Sequence, residues 1–304
     1  MLLYTIVVPI KNAESYIPRL LPILLEQLEC DEIIIIDSES SDASSQLLSA
    51  YPITYIPIAA SDFDHGETRD KAMRLAKNEI VVFLTQDALP ARVDTLKQLV
   101  SSFDDPLVAM AYARQLPRPE AKPIEAHARL FNYPDKSQTK RFEERDVLGI
   151  KTVFCSNSCA AYRKTAYEAA GGFPTKLILS EDTFIAGKIL MSGYAIHYNA
   201  NACVYHSHEY TVIEEFKRYF DIGVFHVNES WIRAQFGAAE GEGARFVSSE
   251  LSYVGSNAPY LIPQLFIRNG MKLLGYRVGM NYKKLPLWLV QKLSMHKNYW
   301  KLPV

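Results

Sequence analysis

The chain has 304 residues, 48% hydrophobic and 22% charged, the balance of an ordinary globular protein, which excludes a disordered, collagen-like or low-complexity chain. That length suits one large domain or two modest ones and buries enough surface to fold without structural metal or disulfides. The formal net charge is only −1, but no Asp or Glu follows Glu250, while Arg268, Lys272, Arg277, Lys283, Lys284, Lys292, Lys297 and Lys301 give the tail +8 and leave −9 for the remainder. A cationic tail on an acidic body suggests an anionic partner, either nucleic acid or the inner face of a membrane.

No apolar run approaches the roughly 18 residues a spanning helix needs. Met1–Tyr4 lead straight into a strand-like pattern with neither a basic n-region nor a cleavage site, so the expected location is the cytoplasm. Cys30, Cys155, Cys159 and Cys203 form no CxxC pair and no zinc-finger spacing, and read as reduced, mostly buried thiols.

In chain order, the apolar run from Leu3 to Ile10 predicts a strand, followed by a helical pattern through Leu20, Ile23, Leu24 and Leu28. A second strand, Glu32 to Ile36, ends at Asp37, and Ser41 or Asp42 can cap the helix that carries Leu47 and Leu48. Ile53 to Ile58 fits a third strand. Asp64 and Glu67 then stand at capping-box spacing before a helix with Ala72, Leu75 and Ala76. A fourth strand, Glu79 to Leu84, runs into Thr85, Gln86 and Asp87. Strands alternating with helices predict an α/β fold with a mainly parallel, doubly wound sheet buried on both faces. Ligands in such sheets bind beyond the carboxyl ends of the strands, where the polar clusters lie: Lys11 and Asn12, Asp37 to Asp42, Asp62 to Arg69, and Thr85 to Asp87.

Arg114 to Asp146, rich in Pro and charge, reads as an excursion over the cleft. Val153 to Tyr162 returns to a strand pattern, and a helix in AYEAAGGFP stops at Gly171 and Gly172. Ser180, Glu181 and Asp182 begin another helix, and a last strand from Ile196 to Tyr205 leads to His206, Ser207 and His208. The Gly-rich stretch Gly237 to Gly243 is the best linker candidate, which divides the chain into a main α/β domain at 1–235 and a basic, amphipathic helical segment at 236–304.

Carboxylates gathered at a sheet edge, such as Asp37 and Asp87, repel unless a cation or a donor-rich ligand lies between them, and a hard divalent ion fits. A single Asp at a strand end is more often a cap or turn former. GxGxxG is absent after the first strand and no Walker lysine loop occurs, which argues against NAD and P-loop chemistry.

TIVVPIKN at the start, IIIIDSESSD at the second strand, DFDHGETRDKA, VVFLTQDA and the SED of the second half together resemble family 2 glycosyltransferases of the GT-A fold. Within that family, HGETRD, TQDA, YHSHEYT and the terminal LPLW and KLSMHK look like bacterial rhamnosyltransferases that use dTDP-rhamnose. The resemblance covers nearly the whole chain.

It implies contacts to the donor nucleoside from the backbone near Pro9 and from Asp37 and Glu39, with helix capping as the other use of Asp37 and of Asp42. Arg69 resembles the family's donor-binding arginine, suited to a diphosphate by its fork of donors, and is otherwise a surface salt-bridge residue. His65 and Gly66 would let the backbone approach phosphates at that helix start, and Gln86 lies within the donor-binding TQD. Asp87 matches the metal-binding acid of the family's DxD motif, but Thr85 replaces the first acid, leaving Mg2+ or Mn2+ to draw ligands from the diphosphate, from water, and from His206 or His208. Glu181 and Asp182 match the family's ED motif, with Asp182 as the general base of an inverting, single-displacement transfer.

The expectation is therefore a transferase moving L-rhamnose from dTDP-rhamnose to a saccharide acceptor, on a lipid diphosphate carrier, in bacterial surface polysaccharide synthesis. A UDP-sugar donor on the same fold, and a non-catalytic nucleotide-sugar-binding scaffold, are the alternatives. The tail suits either an anionic membrane surface, as a peripheral protein of the inner face, or packing on the catalytic domain or across a homodimer interface. No nucleic-acid module accompanies its charge.

Overall fold

The computed structural model describes residues 2–207, 209–237 and 240–301. In chain order its strands and α-helices are β1 (Tyr4–Ile10), α1 (Ile17–Leu25), β2 (Cys30–Asp37), α2 (Ser44–Leu48), β3 (Thr54–Pro57), α3 (His65–Leu75), β4 (Ile80–Leu84), β5 (Leu89–Pro90), α4 (Thr95–Val100), β6 (Val108–Leu116) and α5 (Pro123–Asn132). They continue with β7 (Gln138–Lys140), α6 (Arg145–Leu148), β8 (Cys159–Arg163), α7 (Lys164–Ala169), α8 (Glu181–Met191), β9 (Ala195–Tyr205), α9 (Val212–Asn228), α10 (Ser230–Phe236), α11 (Glu240–Asn257), α12 (Ile262–Met280) and α13 (Leu287–Leu293).

One mixed sheet runs in the order β3-β2-β1-β4-β8-β6-β9-β5, with β7 also paired to β9. The first four strands are parallel, as their alternation with helices predicts. Alternate side chains along them feed two cores. Val7, Ile34, Ile36, Val81 and Phe83 pack with α3, α8 and α9 on one face, and Ile6, Val8, Ile35 and Val82 pack with α1 and α4 on the other. Burial on both faces explains why these strands read as continuous apolar runs.

The second half is less regular than the alternation suggests. β8 inserts antiparallel between β4 and β6, while β6 and β9 are parallel. The strand expected from Val153 is confined to Cys159–Arg163, because residues 154–158 leave the sheet and carry Ser156, Asn157 and Ser158 into side-chain hydrogen bonds. The helix expected to reach Leu28 stops at Leu25, where the Gln27 side chain binds the Ile23 and Arg92 carbonyls and accepts from the Leu96 N–H.

In the Gly-rich stretch read as a linker, residues 240–243 are helical. Gly237 turns the chain at φ 84°, and Gly241 and Gly243 lie inside α11, which packs on α5 and α12. α12 lies against α9 at backbone contact: a Cβ on Gly275 or Gly279 would fall 2.3 or 2.1 Å from the carbonyl oxygens of Phe216 and Phe220. Two tail cations are drawn inward as well, Arg268 and Lys272 each lying 3.4 Å from the buried Glu215. The opposite side of this region exposes Phe266, Ile267, Leu273, Leu274, Leu287 and Trp288. Among the described residues no helix is long and apolar enough to cross a membrane.

Candidate active site

β1, β2 and β4 end side by side, Ile10 in register with Asp37, so the polar residues that follow them line one rim of the sheet. Asp37 is buried. Its Oδ1 accepts from the Ser40 N–H and hydroxyl at 3.0 and 2.5 Å, and its Oδ2 from the Tyr55 hydroxyl at 2.9 Å. Glu39, exposed and at φ 58°, accepts from the Ala60 N–H, and its carbonyl takes the Lys11 ammonium. Pro9 is a half-buried residue of β1. Gln86 braces the rim by exchanging two hydrogen bonds with the Lys11 backbone, at 2.8 and 3.1 Å. Asp42 closes a turn: it accepts from Ser44 N–H and hydroxyl and from the Glu14 N–H.

Asp64 caps α3 by accepting from the N–H groups of Gly66 and Glu67 at 2.9 Å, as its spacing predicts. The space above Gly66 is filled by protein and not by an incoming phosphate, since a Cβ there would lie 2.0 Å from the Pro174 carbonyl oxygen. Arg69, one turn on, is neither a surface residue nor an open phosphate ligand. Its Nη1 lies 3.0 Å from Glu181 Oε1 and donates to the His65 carbonyl at 3.0 Å.

Glu181 and Asp182 start α8 after Ser180, whose φ of 64° turns the chain sharply into the helix. The two acids meet different surroundings. Glu181 is buried, paired to Arg69 and hydrogen-bonded by Asn157 Nδ2 at 3.0 Å; burial opposes its charge, but Arg69 above all holds its carboxyl below the usual range. Asp182 is half-buried and accepts from the Thr183 and Asn157 backbone N–H groups, at 2.7 and 3.3 Å, and from the Thr183 hydroxyl at 3.4 Å. Burial first and the Glu181 charge second push its pKa up to about 6. The residue that orders both acids, Asn157, is itself held by the buried Tyr162 hydroxyl at 2.6 Å. Neither carries a motif.

Across the rim, Asp87 Oδ2 lies 3.4 Å from Nε2 of the buried His206. Gln115 Oε1 accepts from Arg129 at 2.7 Å and faces His206 Nδ1 at 2.8 Å, so Nδ1 must carry the proton and Nε2 turns its lone pair toward Asp87. Burial lowers the His206 pKa and keeps the imidazole neutral, the form that binds metal. An acid and a basic nitrogen aimed at each other fit a divalent ion between them, although among the described residues no third His, Cys, Asp or Glu joins the group. His208, the other histidine considered, lies outside the described residues. Arg118 donates to the Asp87 carbonyl at 2.8 Å and sets its guanidinium 3.9 Å from the carboxylate. It lies in the Pro-rich excursion, where only its charge could have drawn attention.

The chain belongs to the glycosyl transferase family 2, whose model matches residues 5–171. It is 45% identical over 299 residues, 97% of this chain and 95% of the relative, to a Salmonella typhimurium LT2 protein named O-antigen chain rhamnosyltransferase RfbN. It is 47% identical over 270 residues, 88% and 86% of the two chains, to the Salmonella anatum O-antigen chain rhamnosyltransferase WbaN. The fold is that of a Pyrobaculum calidifontis mannosyltransferase solved with GDP-mannose and Mn2+ (TM-score 0.64, 19% identity, 93% and 88% covered) and of S. aureus TarS solved with UDP-GlcNAc (TM-score 0.55, 14% identity, 93% and 92% covered). The expected GT-A fold and family are borne out, and the protein is a glycosyltransferase.

Proposed function

We propose that the protein transfers L-rhamnose from dTDP-rhamnose to a saccharide acceptor of O-antigen, with inversion. The observation that carries the mechanism is the contrast between Glu181, locked to Arg69, and Asp182, half-exposed with a pKa pushed up to about 6. Asp182 takes the proton of the acceptor hydroxyl as that oxygen bonds to the anomeric carbon. The bond from that carbon to the diphosphate breaks, and its electron pair leaves with the nucleoside diphosphate. A carboxylate with a pKa near neutrality is basic enough to accept the proton and still ionised when needed. Asp37, Glu39 and the backbone near Pro9 hold the nucleoside, with Gln86 fixing their spacing. Asp87 and His206 hold a Mg2+ or Mn2+ ion, which when bound neutralises charge on the leaving diphosphate. Arg118, beside Asp87, assists electrostatically, while Arg69 acts through Glu181.

The acceptor is carried on a lipid diphosphate, and the protein meets it as a peripheral protein of the inner membrane face. The exposed Leu287 and Trp288, close in sequence to Lys283 and Lys284, and the exposed Phe266 and Ile267 of α12 support that placement, because aromatic, apolar and cationic side chains suit an anionic interface. Purified protein should be assayed for nucleoside diphosphate release from dTDP-rhamnose and a panel of UDP- and GDP-sugars, with and without Mg2+ or Mn2+. Selective, metal-stimulated release from dTDP-rhamnose is expected. Preference for a UDP-sugar would discard the donor and keep the mechanism.

A further inference from the structure

The terminal KLSMHK run belongs to the basic tail, yet it returns to the start of α3. α13 ends at Leu293, and the buried Ser294 donates its N–H to the Val290 carbonyl at 2.9 Å. The next two backbone N–H groups, of Met295 and His296, both donate to Asp221 Oδ2, at 2.8 and 3.1 Å. Asp221 is a fully buried acid on α9, a helix otherwise committed to packing. A buried carboxylate that accepts two consecutive backbone donors fixes both the position and the direction of the chain there.

The side chain delivered by this clamp is His296. Its ring meets His65 edge to face, with centroids 5.8 Å apart and planes at 84°. His65 opens α3, and its carbonyl takes the Arg69 guanidinium that neutralises Glu181. His296 is thereby linked, through His65 and Arg69, to the ion pair at Glu181. Burial above all lowers the pKa of both imidazoles, with Arg69 adding to it at His65 and with His65 and Arg218 adding to it at His296, which goes down to about 4. Both remain partly exposed. A neutral imidazole offers one N–H donor and one lone pair, the pairing a sugar hydroxyl requires.

We propose that His296, carried by the C-terminal segment and held by Asp221, is a sugar-binding residue of the catalytic site, paired with His65 to receive hydroxyls of a hexose ring. The tail then completes the site, in addition to any contact it makes with a membrane. This rests on the glycosyl-transfer reading, and the hexose belongs either to the donor or to the acceptor.

His296→Phe keeps a ring against His65 and removes both nitrogens, whereas His296→Gln restores a donor and an acceptor. Each is compared with wild type in two assays: nucleoside diphosphate release from the preferred nucleotide sugar without acceptor, and transfer to lipid-linked saccharide extracted from cells blocked at the rhamnosyl step. We expect His296→Phe to lose about tenfold in kcat/KM in at least one assay, with His296→Gln recovering part of it and the melting temperature of both within about 2 °C of wild type. A loss in the first assay assigns the hydroxyls to the donor; a loss confined to the second assigns them to the acceptor. Wild-type kinetics for His296→Phe in both would overturn the proposal, as would equal losses for Phe and Gln tracking a lowered melting temperature. Failure of the underlying reading shows separately, as wild-type protein inactive in both assays.

Discussion

Arg69 Nη1 sits 3.0 Å from Glu181 Oε1, with side-chain exposures of 7% and 10%, so one of two sequence-adjacent carboxylates is neutralised inside the protein while Asp182 keeps its charge available. Removing one partner of a buried pair strands the other charge. Arg69→Met should therefore lower unfolding stability by roughly 3–5 kcal/mol, whereas Arg69→Met combined with Glu181→Leu should recover most of it without recovering transfer. Urea denaturation midpoints of the single and double variants check this. A single variant as stable as wild type would mean that the pair does not hold α3 to α8.

Asp182 gives the pH dependence. Its folded pKa, pushed up to about 6, lies above the unfolded 3.8, so the folded chain binds that proton more tightly and this group's contribution to stability declines as pH rises through that window. Activity has the opposite sign, because the base must be ionised. The rate should be level above the pKa and fall about tenfold per pH unit below about 6. Asp182→Asn should lose about 10²-fold or more in kcat and leave donor KM nearly unchanged. A pH–rate profile of wild type and variant reads both: an acid limb centred near 4 would overturn the raised pKa, and an undiminished rate in Asp182→Asn would remove Asp182 from the role.

How much of this site the sequence reveals depends on how far apart its parts lie in the chain. The parallel strands declare themselves as apolar runs, and their ends carry Asp37 and Asp87 because loops follow strands; the Asp64 cap is legible for the same local reason. Asn157, Gln115 and Arg118 have no local signal. They become site residues because β8 slips antiparallel between β4 and β6, a pairing that periodicity does not encode. Arg69 shows the limit most clearly: its motif marks it as important, but only the folded chain reveals Glu181 as its partner. Gly241 and Gly243 lie in α11 despite glycine's weak helix preference, in a helix that packs on α5 and α12.

The exposed apolar face of the tail predicts a separable membrane phenotype. Phe266, Ile267 and Trp288 are each about three fifths exposed. Replacing all three with Ser should abolish sedimentation with anionic liposomes and shift the melting temperature little, since surface substitutions usually change stability by about 0.5 kcal/mol or less. Binding of the native chain should also weaken with salt. Liposome sedimentation and analytical ultracentrifugation separate the outcomes: a dimer that dissociates in the triple variant would assign the face to a second copy of the chain.

Gln115 tests the metal reading, because it touches no ligand in that reading and reaches the ion through His206, while its amide also binds Arg129 and Ser156. Its Oε1 accepts from His206 Nδ1 at 2.8 Å and from Arg129 at 2.7 Å, which keeps the Nδ1 proton in place and the Nε2 lone pair directed at Asp87. Gln115→Leu removes that acceptor and frees the other tautomer. Outer partners of metal-binding histidines typically change metal affinity by about 10–100-fold. Activity of the Gln115→Leu protein should accordingly need about tenfold more Mn2+ for half-maximal rate while the rate at saturating metal stays within a few-fold of wild type. Chelation should silence both proteins, and added Mn2+ should restore both. Identical metal titrations would show that His206 does not hold the ion, leaving Asp87, the diphosphate and water to do so.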